Sequence, residues 1–440
     1  MIRKTKRVLA LCAALLMTIL AFSGCATAPA GTATGSDTAA ATQAPASGEK
    51  VKLRILLAAW DDVRKQMNSE YIEPALQAKF PEYELEFEEY TDAAKLNTYT
   101  ATSDLPDVFF SGAMNYTLPI INSGGAEDLL PYITADGFAD KYTVKSLIEP
   151  WSDGKLYTLS SGSDSYYTPR LYVNKSMFEK NGIAYPTTFD ELVTVCQQFI
   201  DKGITPLSTH SFEGWAVNGF LWQTLAMAEN PETVTKFYNG EIGFTDPAVV
   251  AAFSKIEQLA KMHAFPEGCA QMDYGETISL FKNKQVPMYM MFTWTLSELE
   301  KDADVDFINF PAISQSVNMA NYAQAWGGPL AGYGVSSQSK FKEAAVKVAE
   351  ECTFQEALFF NKEQSTLTGL DSGSEVSNLS ELAQKSRDAF DAATTKVPSL
   401  TFIYSTKVVT ELGIQGGKLL LGQATAQEVC EALEKVRLEG

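Results

Sequence analysis

From Val51 onward the chain switches between two rhythms. Val51–Leu57 (VKLRILL) is an apolar-rich run of strand length, and Arg64 to Lys79 carries helical spacing that stops before Pro81. Tyr83–Tyr90 (YELEFEEY) alternates with period two. The stretch after it is helical again, and Asp107–Phe110 (DVFF) reads as a short buried strand. Strand, helix, strand, helix, strand predicts a parallel α/β sheet, whose ligands sit beyond the carboxyl ends of its strands. Those ends are Ala59, Trp60, Asp61 and Asp62, then Ser111, Gly112, Ala113, Met114 and Asn115.

The middle of the chain is more helical. Thr188 with Glu191 three residues later predicts a capping box for a helix running to about Lys202. Asp246 before Pro247 starts another, with Val249, Val250, Phe253, Ile256, Leu259 and Ala260 on one face. Val286–Phe292 (VPMYMMF) is a buried strand whose methionines are core residues. Further strands fall at VDFINF and GYGVS, and a helix runs from about Lys340 to Phe360. The last eighty residues are mostly helix, broken by a Ser/Gly-rich loop over 371–380.

The first fifty residues follow different rules. MIRKTKR is basic, Val8 to Phe22 is apolar, and small residues lead to Cys25. The apolar run suits a signal-peptide core and is too short for a comfortable membrane span. Residues 26–49 are small and polar, have nothing to bury, and read as a disordered tether reaching roughly 27 Å on average. An ordinary signal peptide cut near Ala26, Thr27 and Ala28 is the alternative.

Charge narrows the function. The net charge is −19, and removal of residues 1–24 takes away Arg3, Lys4, Lys6 and Arg7 and no acid, leaving −23. That excess argues against a nucleic-acid partner and against a face lying on anionic lipid. Nearly 390 residues follow the tether, enough for two lobes. Cys196, Cys269, Cys352 and Cys430 lack metal-ligand spacing; a disulfide stays open.

Several segments, in order, resemble the extracellular solute-binding proteins of ABC importers, specifically the family 1 group that serves sugars. They are DGKLYTL with LYVNKSMFEKNGIAYPTTFDEL, FTDPAVVAAFSKIEQLA, ISLFKNKQVPMYMMFTW, and then FINFPAI, WGGPLAGYGVS and SKFKEAAVKVAEE. Cys25 similarly resembles the acylated first residue of bacterial lipoproteins, with Phe22 where an aliphatic residue is usual. The resemblance implies a two-lobed, periplasmic-binding-protein-like α/β fold with a hinge. Residues 50–160 with about 310–350 would form one lobe, and about 161–309 with 351–440 the other. It further implies a carbohydrate ligand, membrane permease subunits as partners, a lipid anchor on Cys25 at the cell surface, and a monomer without cofactor or metal.

A sugar site wants flat aromatic platforms with polar side chains around them. Trp60, Asp61 and Asp62, with Ser111 and Asn115, are candidates at the strand ends. Trp215 and Asn218 lie in a loop-like stretch that also holds Trp222, and Arg170 could donate to hydroxyls. The resemblance adds Tyr167, Trp294, Trp326, Gly327 and Gly328. Helix capping is the alternative role for one of the two aspartates, and a structural salt bridge for Arg170. Catalysis has thin support: His210 and His263 belong to no ligand cluster, and GxSxG and GxxxxGK[ST] are absent. A tethered glycosidase or lyase using paired carboxylates is the competing class, and a phosphorylated polyol the competing ligand.

Overall fold

The computed structural model describes residues 50–439, apart from 113, 152, 164–167, 213–215, 217–220, 326–330, 365, 375 and 377–378. The expected leader, Cys25 and the tether lie outside the described residues. Among the described residues, no helix is long and apolar enough to cross a membrane.

Val51–Ala58 (β1) is central to the first sheet because Leu53, Ile55, Leu56 and Leu57 leave neither face for water. Tyr83–Tyr90 (β2) pairs parallel to it in register from Val51↔Tyr83 to Ala58↔Tyr90. β2 is the sheet's edge, so Glu84, Glu86 and Glu89 stay in solvent, where Glu86 meets Lys52, while the half-buried Glu88 meets Arg54. Val108–Ser111 (β3) pairs parallel on the other side of β1. Between β1 and β2 the predicted helix runs as Asp62–Met67, a π-turn over Asn68–Ile72, and Glu73–Lys79, and it ends before Pro81.

Pro169–Asn174 (β4), Leu207–Ser208 (β5), Met288–Phe292 (β6) and Val305–Ile308 (β7) form a second sheet in the order β5-β6-β4-β7. Both of its faces are covered. Leu171, Val173, Met288 and Met290 enter the larger core, while Tyr172, Tyr289, Met291 and Phe307 enter a smaller one. The larger core is closed by the helices Phe189–Ile200, whose Thr188/Glu191 capping box is present, and Pro247–Lys261, capped by Asp246. Tyr322–Ala325 (β8) pairs with the late strand Thr395–Pro398 as a separate two-stranded parallel sheet.

Gly332–Val335 (β9) then returns to the first sheet, antiparallel to β3. The strand–helix alternation around β1 carries no information about this partner, which arrives from far along the chain. The GYG sequence is what admits it. A Cβ on Gly332 would fall 2.2 Å from the Leu159 carbonyl oxygen, and one on Gly334 would fall 2.5 Å from the Phe109 ring. Tyr333 and Leu159 exchange both backbone hydrogen bonds, at 3.0 and 2.9 Å. The Thr395–Pro398 strand is β10 in chain order.

Phe310 and Met319 pack in the larger core of the second sheet, and the chain rejoins the first sheet at β9. The helix Lys342–Glu363 lies against β3 and β9, and its Cys352, Ala357, Phe359 and Phe360 sit in the first core together with Leu370. A border at about 350 would cut that helix in half. Crossing back comes after Leu370, since Leu382 of the helix Glu381–Ala392 belongs to the smaller core of the second sheet.

On the same long helix, the buried Glu350 shares the Lys347 ammonium with Asp136, its own distance to Lys347 being 3.0 Å. Burial, then the Asp136 carboxylate, push the Glu350 carboxyl up to about 7. A carboxyl whose pKa rises on folding stabilises fully below its unfolded value, and that contribution is lost as pH climbs through 7. Glu350→Gln should therefore leave stability little changed near pH 4 and raise it at pH 8, by about 1–2 kcal/mol after allowance for solvent screening. Urea unfolding of both proteins across this range checks it; a difference independent of pH would refute it.

Candidate ligand-binding site

The carboxyl ends of β1 and β3 come together because the strands are parallel neighbours. Trp60 projects where β1 ends, just after Ala59 donates to the Tyr90 carbonyl at 2.8 Å. Its indole meets Tyr90 edge-on and Phe110 at a tilt, both with centroids 5.8 Å away. Gly112 lets it lie against the β3 loop, since a Cβ there would fall 2.6 Å from Cη2 of Trp60. Walled in this way, Trp60 still leaves 39% of its surface exposed. An anchored, half-open indole at the mouth of a parallel sheet is a ready platform for the C–H face of a ring.

The two aspartates divide the roles open to them. Asp61 caps the helix, its Oδ1 accepting from the Arg64 N–H at 2.6 Å. Asp62 is exposed and meets only the Lys65 ammonium, at 3.3 Å. Ser111, a candidate from its place at a strand end, is fully buried and shares a hydrogen bond with the Thr117 hydroxyl. That takes its oxygen out of the solvent-facing set, because β3 is covered on both faces. Asn115 is the second residue of the helix Met114–Asn122.

From the second sheet, Trp294 follows β6 in the turn Thr293–Thr295 and stacks on Phe292, centroids 4.8 Å apart and planes 8° from parallel. It is half-buried. Thr168 and Thr293 tie this turn to the start of β4: the Thr293 N–H donates to the Thr168 carbonyl and the Thr168 N–H to the Thr293 hydroxyl, both at 3.1 Å. The Thr168 hydroxyl in turn accepts from the Gln324 N–H of β8 at 3.2 Å. Gln324 then donates through Nε2 to Gln223, and Gln223 accepts from Leu400 at 3.0 Å. This chain of polar groups joins five separate elements; no local spacing announces it.

Arg170 lies inside the second sheet. It is 3% exposed, and no carboxylate among the described residues pairs with it. Its guanidinium lies over the Phe307 ring at 5.0 Å and donates to the Ser386 carbonyl at 3.3 Å. Burial without an acid pushes its pKa down to about 10. The residue sits on a strand buried on both faces, so its side chain is spent on packing the helix Glu381–Ala392 against β7. Trp222 is wholly buried among Phe237, Phe244 and Phe253. His210 is buried too, with Nδ1 3.2 Å from the Thr277 hydroxyl. Tyr167, Trp215, Asn218, Trp326, Gly327 and Gly328 lie outside the described residues. Among the described residues no group of three or more His, Cys, Asp or Glu is placed to hold a metal ion.

One neighbour of Trp60 is absent from the sequence-derived set. Arg64 lies one helical turn on, its guanidinium 5.2 Å from the Trp60 ring and 4.3 Å from that of Phe110. The spacing of four from a strand-end tryptophan is a signal that could have found it.

Residues 66–357 match the model of the bacterial extracellular solute-binding proteins, and the chain belongs to that family. Among its relatives is an uncharacterised ABC transporter extracellular-binding protein of Pyrococcus horikoshii, 24% identical over 265 residues, 56% of this chain and 58% of that protein. The multiple sugar-binding protein of Streptococcus mutans is 23% identical over 139 residues, 30% of this chain and 32% of that one. The matches thus span less than two thirds of these relatives' length. A solved chitin oligosaccharide binding protein shares the two-lobed α/β fold with TM-score 0.75 at 23% identity, over 89% of this chain and 99% of that one.

Proposed function

We propose that the protein captures a carbohydrate, an oligosaccharide rather than a single sugar, between its lobes and delivers it to the permease of an ABC importer. The exposed indole of Trp60, fixed on three sides by Tyr90, Phe110 and Gly112, is the observation that carries this reading. Membership of the solute-binding family supports capture over catalysis, and relatives named for multiple sugars and chitin oligosaccharide support the ligand class. Trp294 supplies a second ring from the other sheet, and Asp62 an exposed carboxylate beside the first. Tyr167, Trp215, Asn218, Trp326, Gly327 and Gly328 complete the proposed set, with Asn115 at the β3 end. A monomer acylated on Cys25 would keep the cleft near the membrane while the tether lets it turn toward solute.

Thermal unfolding against mono-, di- and oligosaccharides, polyols and uronates tests the reading, with chromatography of each ligand afterwards. At a hundredfold excess over its dissociation constant a bound sugar adds about 2.7 kcal/mol. A shift with intact sugar is the expected outcome. Turnover would make the protein an enzyme, and silence for every sugar would discard carbohydrate as the ligand.

A further inference from the structure

We infer that Arg64 is a positioning residue for the Trp60 platform, held to that task by its buried pair with Glu356; the inference rests on Trp60 being a ligand-facing ring. The Arg64 Nη1 lies 3.2 Å from Glu356 Oε1, and the two side chains are only 10% and 4% exposed. Glu356 sits on the long helix Lys342–Glu363, in the first core. Burial pushes its carboxyl up, and the Arg64 guanidinium is the main influence opposing that. From this fixed point the guanidinium reaches under the indole, with the Phe110 ring at 4.3 Å and the Phe360 ring at 5.8 Å on its other sides.

Stability is a poor reason to keep such a pair. Taking both charges out of water costs as much as their attraction returns, and an apolar pair of similar volume does as well or better. What a guanidinium adds is a flat cation that stacks on an aromatic face in one orientation. Asp61 fixes the backbone of Arg64 by capping its N–H, so strand end, cap and cation form one rigid turn around Trp60. Neither ordinary packing nor the cap needs Glu356 on a distant helix. A ring already immobilised when the sugar arrives loses no rotamer freedom on binding, and that is the gain.

The test uses the full chain labelled with 5-fluorotryptophan, its Trp60 resonance assigned by Trp60→Phe. Arg64→Met is compared with Arg64→Lys and with Arg64→Met/Glu356→Leu, which removes both charges and so guards against misfolding. A chito-oligosaccharide is the binding probe. The expected result is a broadened or shifted Trp60 line in both Met variants with the other tryptophan lines unmoved. Circular dichroism should be unchanged, the probe should bind about tenfold more weakly, and Arg64→Lys should recover part of both losses. An unchanged Trp60 line in the double variant overturns the inference while leaving the platform standing. Undiminished probe binding by Trp60→Ala overturns the platform reading instead.

Discussion

Replacing Gly332 with alanine should destabilise the protein by at least about 3 kcal/mol, the sum of backbone strain and a lost pair of hydrogen bonds. Gly332 has φ of 156°, a conformation L side chains rarely adopt. A Cβ there would meet the Leu159 carbonyl carbon at 2.6 Å and the Ser160 nitrogen at 2.9 Å, in addition to the carbonyl oxygen. These are backbone atoms and cannot swing aside as a side chain can. The Leu159–Tyr333 bridge must open, and with it the junction where the outgoing segment 157–163 meets the returning strand β9. Denaturant midpoints should fall, and hydrogen exchange should speed at Leu159 and Tyr333 before it does at β1. Protection retained at both amides would show that the chain relaxes around the methyl group.

Trp222→Ala should cost about 3–5 kcal/mol, the range for deleting a buried aromatic side chain. The indole is wholly buried, stacked on Phe253 at 5.5 Å and edge-on to Phe237 at 5.3 Å, inside the larger core of the second sheet. Tyr404 reaches the same cluster through Phe244, at 6.0 Å, from the far end of the sequence. A cavity there loosens the helices Trp222–Glu229, Pro231–Tyr238 and Pro247–Lys261 together, because all three line it. Urea denaturation read by far-UV circular dichroism checks the size, and a loss under 1 kcal/mol would mean the core collapses to fill the gap. The contrast with Trp60 is useful: truncating that half-exposed ring should weaken sugar binding with little effect on the fold.

Much of the local structure was legible because its causes are local. The β1 run, the period of β2, the Thr188/Glu191 box and the Asp246 cap each depend on residues within a few positions of one another. The ordered segments also pointed to the family. What stayed hidden depends on pairing. β9 joins β3 antiparallel, and the helix Lys342–Glu363 keeps to the first core past residue 350, because each is chosen by contacts made hundreds of residues away. The same holds for the site. Trp60 is legible as a tryptophan at a strand end, whereas its partner Arg64 is defined by Glu356 and Phe360. Ser111 and Arg170 look available on a one-dimensional reading. Their burial by the sheets that cover them shows only in three dimensions.

The four thiols carry a last consequence. Cys196, Cys269 and Cys430 are sealed in the larger core and Cys352 in the first, all unpaired. Burial pushes the Cys196 and Cys430 thiols up to about 12 and that of Cys269 up to about 11. These four described thiols therefore offer oxidants almost no thiolate. Damage waits for opening. Each lobe carries its own internal clock: alkylation of Cys352 times the breathing of one half, and alkylation of the other three times the second, with no added probe.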